Sequence, residues 1–403
     1  MVGQIWKWTR VWAIAVVLAM MAALMMRPAQ SADDASILRG QIEALGQGTI
    51  QLEPRLYTFT STVPLPTGIH IRGAGQATRI RAVGDIFAFE VVGSYVAVAN
   101  LLLEGANPQT TDGGGISFAR AGHNVAVDDV TFGHNLGVGL DVAPTGGNNG
   151  IYFFRHLRWN GILNNRIGIR IGDGLHHVTD ISINGMSGTA ATPGDMGVWI
   201  QANKDVDTVN IRELTLIQGG TGIQVGPGVA GPSAVTGFSL TDAPAIESMS
   251  EYGVLIQSAN NVRLSNISLA QNRGGLGIGS GVRGLMLSGS TIHANRGDGI
   301  TMWSGASGAI IANNLVADNN LSNATWGFGI SIGGGVSDFT IANNRIGNSL
   351  VWGNSGNQRY CIYLASGASN RYSIKGNSCL GHTYGDAIVD GGSGTRKVVR
   401  DNY

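Results

Sequence analysis

From Gly115 to Ile346 the chain keeps repeating one short pattern, and a repeat of this size limits the possible folds more than any other feature. A Gly opens an apolar–any–apolar strand, and after a gap comes apolar–any–apolar–any–Asn/Asp–apolar–any–apolar. Gly329-Ile330-Ser331-Ile332 followed by Phe339-Thr340-Ile341-Ala342-Asn343-Asn344-Arg345-Ile346 is one copy. Gly115-Ile116-Ser117-Phe118 followed by Val125-Ala126-Val127-Asp128-Asp129-Val130-Thr131-Phe132 is another. Alternation of period two means strands, and the copies are too short to bury a core alone, so they must stack.

Copies open at Gly115, Gly137, Gly168, Gly197, Gly222, Gly253, Gly275, Gly299, Gly329 and Cys361, and no helical pattern of useful length interrupts them. Three short strands per repeat, stacked in parallel with rungs about 4.8 Å apart, make an all-β, single-stranded parallel β-helix of about 11–12 coils. Asn100, Asp129, His156, Asp180, Glu213, Asp242, Asn266, Asn313 and Asn343 share one register position between the second and third strands. Asn and Asp tolerate left-handed backbone angles and suit a tight corner there, and stacked Asn side chains can bond along such a column. That register makes Asp129 a corner residue and turns Asp128 to solvent, so the neighbouring pair is structural rather than catalytic.

Residues 36–48 read as a short amphipathic helix, with Ile37/Leu38, Ile42 and Leu45 on one face and Gly46 as its stop. Strand-like segments follow at 49–52, 57–59 and 68–75. Helix and strands together read as a cap over the open end of the stack, whose bare rung edges would otherwise template aggregation. The stretch IEALGQGTIQLEPRLYTFTSTVPLPTGIHIRGAGQATRI resembles the opening of pectate-lyase-like right-handed β-helix proteins, the group described as glycoside hydrolase family 28-related. Pro54-Arg55-Leu56-Tyr57 departs from the Pro-Gly-x-Tyr usual there. The ending DAIVDGGSGTRKVVRDNY resembles chain ends of the same group. The resemblance implies a right-handed helix and a secreted polysaccharide-processing enzyme or a tailspike-like protein. The sharper signatures are missing: the chain has neither Gly-His-Gly nor Arg-x-Lys, nor the Arg-x-Pro-x-x-Arg of pectate lyases.

Lys7 and Arg10 precede an uncharged run from Val11 to Met26 and a small-residue site at Ala29-x-Ser31, which describes a secretory signal peptide over residues 1–31. The expectation is export to the periplasm or the outside, no membrane association after cleavage, and one domain over 32–403 (about 36–75 cap, 76–403 coils). Basic and acidic residues balance at 26 each, which leaves no basic face to neutralise phosphates and excludes nucleic acid as a partner. Charged residues are only 13% while apolar ones reach 43%, so the 62 glycines mark corners rather than disorder. An oxidising compartment permits a Cys361–Cys379 bridge. The register places Cys379 inward and Cys361 at a strand-opening Gly position, and two buried thiols are the expected state, with a bridge as the alternative.

Function concentrates on variable loops. Long connections at about 184–196, 317–328 and 347–360 flank short ones leading into Gly222, Gly253, Gly275 and Gly299. The expected groove therefore lies over the first strands of those coils, the face where the resembled group commonly keeps its substrate cleft. Trp199 and Gln224 point outward from its floor, with Trp303 and Trp326 around it, and Arg273 and Arg296 complete the substrate-binding candidates. Asp195, Glu251 and Asp298 stand one or two residues before Gly197, Gly253 and Gly299, on one edge. Two rungs separate neighbours by roughly 9–10 Å, near the 6.5–9.5 Å of inverting glycosidases, which singles out Asp298 with Glu251. These acids are too dispersed for one calcium site, and no zinc spacing, phosphate loop or nucleophile elbow is present, so no metal or cofactor is expected. Two functions follow. One is a hydrolase or lyase acting on an extended polysaccharide; the other is a non-catalytic glycan-binding or structural, tailspike-like β-helix. The sequence sets neither the polymer nor an oligomeric state.

Overall fold

A computed structural model describes residues 33–118, 122–143, 149–161, 166–172, 177–190, 195–201, 205–226, 235–322, 327–348, 357–367, 369–382 and 386–403. The expected leader, 1–31, lies outside them. Among the described residues 31 strands form one continuous sheet. Each strand pairs in parallel with the corresponding strand one coil on, for instance Thr301 opposite Ser331 and Ser331 opposite Tyr363. The result is a parallel β-helix of about 11 turns. No described helix is long and apolar enough to cross a membrane.

One helix, α1 (Asp34–Leu45), covers the N-terminal end. Asp33 caps it: its Oδ1 accepts the Ala35 N–H at 3.3 Å, and its carboxylate also takes Thr60 N–H and Ser61 Oγ, each at 3.0 Å. Ala35, Leu38 and Ile42 face the core, whereas Ile37 and Leu45 are exposed, so the buried stripe is narrower than its hydrophobic pattern suggests. The strands expected to belong to the cap are themselves rungs. Gly48–Gln51 pairs with Ile69–Arg72, which pairs in turn with Ala97–Gly105.

Inward side chains of every coil join one core running from Ala35 to Cys379. Each fully buried Ile, Val, Leu or Phe contributes on the order of 1.5–3 kcal/mol, the main cohesion of a fold whose coils touch only their neighbours. The strand-opening glycines exist for this core. A side chain on Gly275, Gly299 or Gly329 would collide with Ile292, Val316 or Ile346 from the third strand of the same coil. In the second described repeat the glycine in this column is Gly139, two residues beyond the expected Gly137, because Val138 and Leu140 pair with Gly114 and Ile116.

That column overturns the expectation for the cysteines. Cys361 stands at the glycine position and Cys379 continues the Ile346 column, so the two face each other and are bridged, with Cα atoms 5.7 Å apart. What is a Gly–aliphatic contact in the preceding coils becomes a covalent bond in this one.

All nine expected corner residues adopt positive φ, between 51° and 59°. Asp180 belongs to a second left-handed column, opposite Ile151 and Thr208 at the corner between the first and second strands. Asp128 and Asp129 make surface pairs with the next coil: Asp128 with His156 at 2.9 Å, Asp129 with Arg158 at 2.7 Å. The hydrogen-bonded asparagine ladder, however, runs one residue past the corner. Asn314 donates its backbone and side-chain N–H groups to Asn344 Oδ1, both at 3.0 Å; Asn344 does the same to Asn377, and Asn377 to Asn402. The expected connection at 184–196 is mostly strand, since Val178–Ala190 continues to pair through Thr189. Its alternation is hidden because Gly188 fills an inward position, where any side chain would collide with Trp159.

Candidate functional site

A second ladder positions the edge of the first-strand face. Asn272, Asn295, Asn319 and Gln358 are fully buried at successive turns between the third and first strands. Asn295 Nδ2 donates to Asn319 Oδ1 at 2.8 Å, and Asn319 Nδ2 donates to Gln358 Oε1 at 3.1 Å. Each asparagine also donates back to a carbonyl of the preceding coil, Asn295 to Leu269 and Asn319 to Ile292. A buried amide bonded on every side holds its turn in one geometry. From these turns project Arg273, Arg296 and Asp298.

Asp298 lies in a half-buried nook on the outer side of the first strands. Its Oδ1 accepts the Phe328 N–H at 2.8 Å, and its Oδ2 accepts the Thr301 hydroxyl at 3.2 Å. Ser331 stands opposite Thr301 on the next rung, facing the same carboxyl. Burial outweighs these donors, and the carboxyl's pKa is pushed up to about 6. Aromatic side chains stand on the rungs to either side. Two bare positions, Gly274 and Gly277, allow the rings to close in: a side chain on Gly274 would collide with Tyr252, and one on Gly277 with Trp303. Tyr252 and Trp303 therefore lean over the one rung between them and meet edge to face, centroids 5.7 Å apart. The Tyr252 phenol is raised, first by its own burial and then by the nearby charge of Asp298. Beyond Asp298, Phe328 stacks on Tyr363 at 4.6 Å, and Tyr360 completes the group.

The structure thus gathers Asp298 and Trp303 with Tyr252, and sets Glu251 and Arg273 beside them. Arg273 Nη1 holds both Glu251 oxygens, at 2.9 and 3.0 Å, on an exposed edge, so Glu251 reaches the site as one half of an ion pair. Arg296 is exposed on the turn leading to Asp298. Asp195, Trp199 and Gln224 are elsewhere. Asp195 is 6% exposed and lies four rungs, roughly 19 Å, from Asp298 along the axis. Gln224 is likewise 6% exposed, and the half-buried Trp199 keeps its Nε1 buried without a hydrogen-bond partner among the described residues. Further toward the N-terminus the same outward column holds Asp141 and Arg170 in a buried bidentate pair, at 2.7 and 2.8 Å. The face is therefore covered in its N-terminal half and open from Leu255 to Tyr363, one to two coils beyond the expected groove. Trp326 lies outside the described residues.

Tyr252, Thr301 and Ser331, on the outward side of the first strands by the repeat register, also lie at the site. Thr301 and Ser331 sit at equivalent outward positions of successive coils, Thr301 three residues after Asp298. The site is an open face rather than a cavity. A void of about 10 Å³ lies between Trp159 and Leu216, and shallow depressions of about 290 and 270 Å³ lie on the other two faces. Among the described residues no three His, Cys, Asp or Glu side chains cluster as a metal would require.

The sequence profile described as "Right handed beta helix region" matches residues 238–402, and with the coil pairing this settles the hand of the solenoid. The chain is a right-handed parallel β-helix. Solved structures of the same architecture include the A-module of the Azotobacter vinelandii mannuronan C-5 epimerase AlgE6. It is 16% identical, with a TM-score of 0.64, and the match covers 92% of this chain and 95% of that one. The tailspike of E. coli bacteriophage HK620, in complex with a pentasaccharide, is 14% identical with a TM-score of 0.62, covering 93% and 78%. Tailspike protein 3 of bacteriophage CBA120 is 14% identical with a TM-score of 0.59, covering 92% and 59%. At these identities the likeness is one of fold. It carries the β-helix part of the expected resemblance and not the narrower family 28 part. No curated protein matches this β-helix significantly in sequence.

Proposed function

We propose that this β-helix holds an extended polysaccharide across its open first-strand face and cleaves it, with Asp298 as the proton donor to the departing glycosidic oxygen. The convergence at Asp298 carries this reading: a carboxyl desolvated by burial, held by two fixed donors, on an open face beside aromatic side chains. An acid poised about 6 can hold a proton near neutrality and release it to a leaving group. Trp303, Tyr252 and Tyr363 offer ring faces with polar tips, suited to sugar rings. Support also comes from what structures of the same fold do: one is a mannuronan epimerase and another holds a pentasaccharide. Both hydrolysis and elimination need the leaving oxygen protonated. Hydrolysis with inversion further requires Glu251 to leave Arg273 and activate water. Export is part of the proposal, supported by the leader-like start and the disulfide.

A second reading, glycan binding without cleavage, is favoured by the Glu251–Arg273 pair, which occupies the second candidate carboxylate. A polysaccharide panel separates the two. Wild type and Asp298→Asn are assayed for new reducing ends and for unsaturated-uronate absorbance. Cleavage by wild type, falling at least about 100-fold in the variant, is expected. Retained binding with no product on any polymer would leave the binding reading in its place.

A further inference from the structure

Arg273 stands on the turn between the two candidate acids. Its turn is hydrogen-bonded on one side through Gly274 N–H to Glu251 O at 3.1 Å. On the other side Gly275 N–H donates to Asp298 O at 3.2 Å, and Arg273 O accepts Gly297 N–H at 2.7 Å. Asn272, immediately before Arg273, is fully buried and donates to Ile246 O and Asn295 Oδ1. Backbone is thus fixed across all three turns, and only the side chains are left to rearrange. The ion pair itself is open to solvent: the Arg273 side chain is 66% exposed and that of Glu251 50%. One nitrogen, Nη1, holds both Glu251 oxygens, while Nη2 and Nε make no hydrogen bond among the described residues. The guanidinium fork that fits a carboxylate side-on is therefore unused. On the next turn Arg296 is exposed and its side chain makes no ion pair among the described residues.

We propose that Arg273 is the receptor for a carboxylate of the glycan itself, which displaces Glu251 and frees it to act as the base. The substrate class is then a uronate-bearing polysaccharide, and the Glu251–Arg273 pair is a latch that an acidic substrate opens. An exposed ion pair is weak, so little opposes the exchange. Swapping one carboxylate for another keeps the guanidinium partnered, whereas a neutral sugar frees Glu251 only by leaving Arg273 without an anion. A planar carboxylate matches both the unused fork and the group that Arg273 already holds. Arg296, one rung further at about 4.8 Å, offers a second cation to the next acidic group along the polymer. The scheme rests on Asp298 as the proton donor proposed above. The freed Glu251 takes a proton from water as the water oxygen bonds to the anomeric carbon. The bond to the leaving oxygen breaks, and the Asp298 proton goes to that oxygen. Glu251 ends protonated, Asp298 ends ionised, and charge is conserved. Two rungs, roughly 9–10 Å, separate the acids along the axis and leave room for the water between them.

The first test needs no cleavage. Binding of oligogalacturonate and oligomannuronate, each beside its carboxyl-reduced counterpart, is measured by calorimetry. Wild type should bind at least one oligouronate about 10-fold more tightly than its reduced form. Glu251→Gln removes the competing carboxylate and should tighten that oligouronate by about 2- to 5-fold, leaving the reduced form unchanged. Arg273→Gln should weaken it about 10-fold, and adding Glu251→Gln to that variant should then gain nothing. Competition for one guanidinium requires this pattern, which a merely structural ion pair would not produce. An equal gain from Glu251→Gln with and without Arg273, or no preference for the uronate in wild type, overturns the proposal. Cleavage of a carboxyl-reduced polymer as fast as its acidic parent would also overturn it, with the role of Asp298 intact. The full binding pattern with no cleavage of any polymer would instead sink the proposed function and leave the exchange at Arg273 standing.

Discussion

The Cys361–Cys379 bridge can be removed without designing a new core, because the coil before it shows what an unbridged coil uses. There the same two positions are Gly329 and Ile346. The double variant Cys361→Gly/Cys379→Ile restores that pair, refilling the core with an aliphatic side chain that has room opposite a glycine. What it removes is the covalent closure of an 18-residue separation, which in the chain-entropy account stabilises by about 3 kcal/mol. The extra glycine adds roughly 0.5–1 kcal/mol of backbone cost, and the gained Ile contacts offset a similar amount. A net loss of about 3 kcal/mol corresponds to somewhat over 100-fold in a local opening equilibrium. In a stack where coils contact only their neighbours, the loss should stay local. Hydrogen exchange followed by mass spectrometry is the suitable assay, since a solenoid need not unfold in one step. Amides of Tyr360–Gly367 and Ser378–Leu380 should exchange about 100-fold faster, and those of Val206–Gly219 at the wild-type rate. Unchanged protection in the last coils, or equal loss along the whole chain, would refute the reasoning.

Three further outcomes are expected. Asp298 keeps its proton to about pH 6, whereas the unfolded chain ionises from its ordinary value of 3.8, so the native state binds more protons between those limits and stability falls as pH rises through them. The loss should reach at most roughly 3 kcal/mol. Denaturant titrations at pH 4 and 7 should show it, and Asp298→Asn should abolish it; a wild type that gains stability across that window would contradict the nook's desolvation. Asn319→Ala removes the acceptor of both Asn295 donors and should cost about 3 kcal/mol or more through orphaned buried N–H groups, read as a drop in denaturation midpoint. Tyr152 buries its phenol fully, without a hydrogen-bond partner among the described residues, and burial raises its pKa. Tyr152→Phe should therefore be neutral or stabilising by about 1 kcal/mol, and a clear destabilisation would reveal a partner for that hydroxyl.

The architecture was legible because a two-residue period, recurring glycines and left-handed corner residues each admit few backbone solutions, and all point to stacked parallel rungs. The candidate site was legible only in part. Asp298 could be picked out by its place before a strand-opening glycine. Its raised pKa follows from burial, and around it Tyr252 and Trp303 lean over Gly274 and Gly277, contacts between coils that no linear spacing encodes. Trp199 and Trp303 read alike as aromatics at a groove, yet one keeps its indole N–H buried and the other is 36% exposed, because cover over a rung comes from segments distant in sequence. Gly188 concealed a strand in the same way: its missing side chain makes sense only once Trp159 is known to lie against it. For the cysteines, the register held the answer, since a glycine column facing an aliphatic column is a pair of positions close enough to bridge.

The two amide ladders have a consequence for how such a chain can lengthen. Along each ladder an asparagine gives its backbone N–H to the amide oxygen of the following coil and presents its own oxygen to the preceding one, so this bond is the same at each step and has a direction. A tandem copy of one laddered coil, inserted beside its original, would find a donor on one side and an acceptor on the other. A copy made in the N-terminal half would meet neighbours individually fitted to one another, such as the Asp141–Arg170 pair, and would leave a buried charge without its counterpart. The C-terminal half is therefore the part of this molecule that gene duplication can extend without redesign, and the open first-strand face lies on that half.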